Sequence, residues 1–69
     1  MKNIKIKFQA IGDVFEYSVR DSYNEALLEV CEHEGVSQEE ALEFVSVFEL
    51  LGHFDEETGE FTVLSRDKL

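Results

Sequence analysis

The stretch SQEEALEFVSVFELLGHF, residues 37–54, is dense in large apolar residues, and the element it builds sets the fold. It opens with a helix start signal. Ser37 and Glu40 are spaced as a capping box, in which the serine side chain accepts from the backbone three residues on and the glutamate reaches back. Val36, just before, is placed to staple onto Ala41. The expected helix runs from Ser37 to about Leu51, with Gly52 as its stop. Ala41, Leu42, Phe44, Val45, Val47, Phe48, Leu50 and Leu51 give it an apolar surface wider than one core-facing stripe requires, so it should cover more than one surface.

The same grammar appears upstream. In DSYNEALLEV, Ser22 and Glu25 form a second capping pair, and Tyr23, Ala26, Leu27, Val30 and Cys31 recur at helical spacing. Gly35 supplies the left-handed position that ends this first helix. Before it the period shortens to two. IKIKFQA sets Ile4, Ile6, Phe8 and Ala10 against Lys5, Lys7 and Gln9, and VFEYSVR sets Phe15, Tyr17 and Val19 against Glu16, Ser18 and Arg20, with a turn at Gly12 and Asp13 between them. Downstream, FDEETGEF reads as a strand end, a turn with Gly59 at a position that wants positive φ, and a return strand from Phe61 to Leu64. The expected architecture is α+β, a small two-layer ββααβ domain spanning 1–69: a three-stranded antiparallel sheet with two helices packed on one face.

Totals narrow the function. Sixty-nine residues support one domain with a thin core, and 43% apolar residues are too many for a disordered acidic tail. The single Cys31 forms no internal disulfide, which points to a reducing cytoplasm. No apolar run suits a signal peptide or a membrane span. A net charge of −10 opposes direct contact with nucleic acid or an anionic membrane and favours a basic protein partner.

Charge is unevenly spread. Between Arg20 and Arg66 lie thirteen acids and no lysine or arginine. Glu25, Glu39 and Glu40 complement helix N-termini, at about 0.3–1 kcal/mol each. Glu29, Glu32, Glu34, Glu43 and Glu49 have no such role, and the pairs Glu25–Glu29 and Glu39–Glu43 repel across one helical turn. Carboxylates one turn apart stand about 6 Å from each other, close to two phosphate steps of about 3.4 Å, so an acidic helical face suits a groove built for a nucleic-acid backbone. The plainer reading is that the charge serves solubility.

Other chemistry is weakly supported. Cys31 and His33 point in different directions on a helix, and with His53 they make an irregular three-ligand set for zinc. The turn DEETGE has its glycine one place early for a calcium loop and lacks the distal glutamate. No catalytic residues, cofactor or metal are expected, and His33 and His53 serve as helix-end caps.

In size, its Met1 start, α+β layout and charge, the chain resembles the very small acidic proteins of phages and mobile elements that block host nucleic-acid-handling machinery, among them DNA mimics and inhibitors of defence nucleases. That resemblance implies a non-enzymatic inhibitor or modulator. Its partner-binding residues would be Glu29, Glu32, Glu34, Glu39, Glu40 and Glu43, with Leu50 or Phe54 as an apolar anchor, docking on a basic surface such as a nuclease complex. The alternative is a structural or adaptor module that forms a homodimer through the second helix or an open sheet edge, its acids serving solubility alone.

Overall fold

Two antiparallel strands of eleven residues form the spine of the molecule. The computed structural model describes residues 2–69, with side chains from Asn3 onward, so Met1 lies outside it. In chain order the elements are β1 (Lys2–Gly12), β2 (Glu16–Arg20), α1 (Tyr23–Glu34), α2 (Gln38–Ala41), β3 (Val45–Asp55) and β4 (Phe61–Lys68). The sheet order is β2-β1-β3-β4, antiparallel throughout. The sheet therefore has four strands, and the two helices are inserted between its second and third.

The departure from the expected ββααβ order lies in residues 42–52. The Ser37 cap forms as its spacing requires: Ser37 Oγ accepts from the Glu40 N–H at 3.2 Å, and Glu40 Oε1 accepts from the Ser37 N–H at 3.1 Å. The helix it starts lasts one turn. After Ala41 the chain tightens, with the Glu43 and Phe44 N–H groups donating three residues back, and then runs extended from Val45. A helix this short gains little by itself, whereas β3 pairs with β1 along its whole length, from Gly12↔Val45 to Lys2↔Asp55. Tertiary pairing of β-branched and aromatic residues overrides the local helix signal.

The surplus apolar width of this segment follows from that pairing. Val45 and Val47 face the helices, while Leu50 and Gly52 are buried on the opposite side of the sheet. A central strand covered on both faces has no polar stripe. Gly52 is consequently no helix stop. A Cβ there would come within 2.7 Å of Phe61 Cζ, and nearer still to the Thr62 carbonyl oxygen. Glycine is needed where β4 closes on β3, beside a bulge at which Leu64 is the extra residue between the pairs Leu51↔Ser65 and Gly52↔Val63. The return strand extends to Lys68, beyond the expected Leu64.

α1 forms as its caps dictate. Ser22 Oγ accepts from the Glu25 N–H at 3.1 Å, and Gly35 at φ 69° closes the helix by donating to the Cys31 carbonyl at 2.8 Å. Ala26, Leu27 and Val30 of α1 and Ala41 of α2 meet Ala10, Tyr17, Val45 and Val47 of the sheet in one core, so both helices pack on the same face. That core occupies one end of a molecule measuring 39 × 20 × 19 Å. Ile4, Ile6 and Leu51 share the helix-side face but lie beyond the helices and remain exposed.

Strand β2 departs from simple alternation. Gln9↔Val19 and Ile11↔Glu16 leave Tyr17 and Ser18 together opposite Ala10, a bulge held by the Gln9 side-chain amide donating to the Tyr17 carbonyl at 2.8 Å. The bulge sends Tyr17 into the core. It also puts Arg20 opposite Phe8 on the helix side and Val19 opposite Gln9 on the other, the reverse of the expected faces.

Candidate functional site

The helical layer carries the carboxylates singled out from the sequence, and they fall into two groups. Glu29, Glu34 and Glu40 are engaged within the fold. Glu29, 25% exposed, accepts from Ser18 Oγ at 2.9 Å, from the Ser18 N–H at 3.3 Å and from Arg20 Nη1 at 3.3 Å. Burial pushes its carboxyl upward, but the Ser18 and Arg20 contacts outweigh burial and hold it below the usual range. Glu34 accepts from the Tyr17 hydroxyl at 3.4 Å and lies 2.9 Å from His33 Nδ1. Glu40 closes its capping box, whose Ser37 N–H and hydroxyl lower its carboxyl.

Glu32, Glu39 and Glu43 form the second group. All three are exposed, as is Glu25, and among the described residues no lysine, arginine or histidine lies within ion-pair distance of any of them. On α1, Glu25 and Glu32 fall about 180–200° round the axis from Tyr23, on the side away from the sheet.

Apart from Arg20, which lies on the helix side against Glu29, the described strand cations sit elsewhere. The register places Lys5, Lys7, Arg66 and Lys68 on the sheet face opposite the helices, beside Phe48, Leu50, Phe54 and Phe61. Lys5 Nζ stands 4.4 Å from the Phe54 ring centroid; Lys7 Nζ is 5.3 Å from Phe54 and 5.7 Å from Phe61, and is 2.5 Å from Asp21 Oδ1. Long basic side chains thus shield the apolar residues of a face that no helix covers. Sequence reading missed this convergence because it depends on β3 and β4 pairing beside β1.

This geometry separates the two proposed apolar anchors from the acids. Leu50 is fully buried, at 0% exposure, and presents nothing to a partner. Phe54 is half-buried under Lys5, on the face away from α1 and α2. Neither shares a surface with Glu32, Glu39 and Glu43.

A second feature had no signal in the sequence. An open cleft of about 540 Å³ lies between the β1–β2 turn, the last turn of α1 and the turn leading into β3. Its walls include Phe15, Tyr17, His33 and Phe44, with the carboxylates of Asp13 and Glu34. Phe15 and His33 stack at 5.6 Å with 12° between their planes, and Tyr17 meets both edge-on, at 4.7 and 5.6 Å. Burial, and then Glu34 beside it, push the Tyr17 phenol upward. Phe15, His33 and Phe44 are far apart in the chain and meet only because α1 and the start of β3 both return to the β1–β2 turn.

Among the described residues no three or more His, Cys, Asp or Glu side chains converge as a metal site, and no helix is long and apolar enough to cross a membrane. No protein-family profile matches the chain, and no curated protein or solved structure is significantly similar to it.

Proposed function

We propose that this chain is a non-enzymatic protein-binding module whose acidic helical layer docks on a basic protein surface, acting as an inhibitor or modulator in a reducing cytoplasm. The observation that carries the reading is charge segregation: among the described residues, exposed Glu25, Glu32, Glu39 and Glu43 lack cationic neighbours, while Lys5, Lys7, Arg66 and Lys68 are gathered on the opposite face. Carboxylates left without partners within the fold attract one from outside, speeding encounter and selecting against acidic surfaces. A nucleic-acid-handling protein or nuclease complex has such a basic surface, and a DNA-mimic inhibitor of phage or mobile-element type is the form of the proposal that best suits a chain of this size and charge.

The test reverses Glu32, Glu39 and Glu43 to lysine, none of whose carboxylates has a hydrogen-bond or ion-pair partner among the described residues. Proteins retained by the wild type at low salt and released at high salt should not be retained by the triple variant. Retention of the same proteins by both sinks the acidic-face reading.

A self-associating module is the second reading. Exposed Ile4, Ile6 and Leu51 and the unpaired outer edge of β4 support it. Sedimentation across concentrations separates the two: a salt-insensitive dimer favours self-association, and a monomer favours the acidic docking surface.

A further inference from the structure

We propose that the cleft beside the β1–β2 turn receives the guanidinium of an arginine side chain projecting from the basic partner surface. This rests on the docking reading above and adds where that surface is gripped.

Three features of the cleft select a cation. Its walls are aromatic, and a cation over a ring face is attracted by the ring quadrupole; Phe15 and Phe44 are both about half exposed there. Glu34 and Asp13 add two carboxylates at its margin. The last turn of α1, which carries His33 and Glu34, ends at Gly35, so its carbonyl end brings partial negative charge to the same place. None of these favours an anion. A purely apolar residue would satisfy the rings but make no use of Asp13 or of the second oxygen of Glu34, whose Oε2 meets Tyr17 and His33.

The choice of arginine over lysine follows from shape. A guanidinium is flat, stacks on an aromatic face and presents paired N–H donors to a carboxylate at once, whereas an ammonium is a compact, strongly hydrated point charge. Val14, 98% exposed at the lip, is placed to contact the aliphatic stem. The cleft volume falls within the range of small-molecule pockets and exceeds what one side chain fills, leaving room for flanking backbone.

The experiment titrates the isotope-labelled full chain with N-acetyl-arginine amide and follows the backbone amides. The same titration is run with N-acetyl-lysine amide and N-acetyl-norleucine amide. Arginine should produce saturable shifts at Gly12, Val14, Glu34 and Phe44, with weaker binding by lysine and none by norleucine. Glu34→Gln should weaken the arginine probe about fivefold, the loss expected for one partly exposed charge contact. Phe44→Ala, at an exposed ring, should weaken it comparably.

Equal binding by norleucine or by lysine overturns the guanidinium assignment. So do shifts spread over Glu25, Glu32 and Glu39 without saturation at the cleft, or unchanged binding by Glu34→Gln. Failure here is distinct from failure of the docking surface: the lysine reversals at 32, 39 and 43 leave the cleft walls intact, and the small probe requires no partner.

Discussion

Truncating two neighbouring leucines tests the central strand directly. Leu50 and Leu51 are adjacent, yet Leu50 is 0% exposed and Leu51 39%. Replacing either with alanine removes three carbons, about 2.4 kcal/mol of transfer free energy at full burial. At Leu50 the full transfer loss applies, and the cavity left behind adds about 1 kcal/mol, for a total of about 3.5 kcal/mol. Leu51 loses only its buried share, about 1.5 kcal/mol, and solvent fills the space. The gap of about 2 kcal/mol corresponds to about 8–16 °C in Tm for a domain of this size. Urea unfolding followed by circular dichroism measures it, and unchanged m-values would show that the unfolded states compare. On a helix running from Ser37 to Leu51 the two residues would share one broad apolar surface and lose similar amounts. Equal losses, or a larger loss at Leu51, refute the strand assignment and the burial of Leu50.

Gly52→Ala should destabilise by about 2–3 kcal/mol, because the added methyl meets the β4 backbone and the Phe61 ring. Amide hydrogen exchange should show β4 losing protection while α1 keeps it; uniform exchange across both would count against a local clash. Glu29→Gln should cost about 1 kcal/mol at neutral pH through its contacts with Ser18 and Arg20. The folded Glu29 carboxyl is lowered, so its contribution is present above the unfolded value near pH 4.3 and fades as pH falls through the folded value. The wild-type and Glu29→Gln stability curves should therefore converge in acid, and a constant gap down to about pH 3 contradicts the assignment. Ser37→Ala removes the cap of a one-turn helix and should lower stability by about 1 kcal/mol; no change in the thermal midpoint would mean α2 contributes nothing.

What was legible in the sequence was local. The Ser22–Glu25 contact, the left-handed Gly35, the Ser37–Glu40 box and Gly59 at φ 77° each follow from a few consecutive residues, and each occurs. The face assignment of β1 also holds: Phe8 and Ala10 meet the helices while Lys5 and Lys7 face away. Residues 45–52 differ from expectation because their helix start signal is real but propagates for one turn only, while Phe54 and Asp55 end a strand as their sequence suggests. What decides the rest is β1, more than thirty residues away in the chain. The breadth of apolar residues from Val45 to Leu51 is the mark of a strand covered on both faces, a pattern that a helix with a wide apolar surface also produces. The acids were visible as a run. Which of them the fold consumes was not, because Glu29 and Glu34 are claimed by Ser18, Arg20 and Tyr17 across the bulge in β2. The cleft was invisible because its rings come from three separate turns.

The placement of β1 between β2 and β3 bears on how the molecule is made. As the chain leaves the ribosome, the first hairpin appears with one flank bare, and residues 45–55 must be synthesised before that flank is closed. Every rung of the spine joins positions at least 33 apart, so ordering the middle of the sheet requires closing a long loop first. Assembly is then expected to be late and cooperative, and the nascent hairpin, with Phe8, Ala10 and Tyr17 still uncovered, is the stage at which a chaperone would find most to hold.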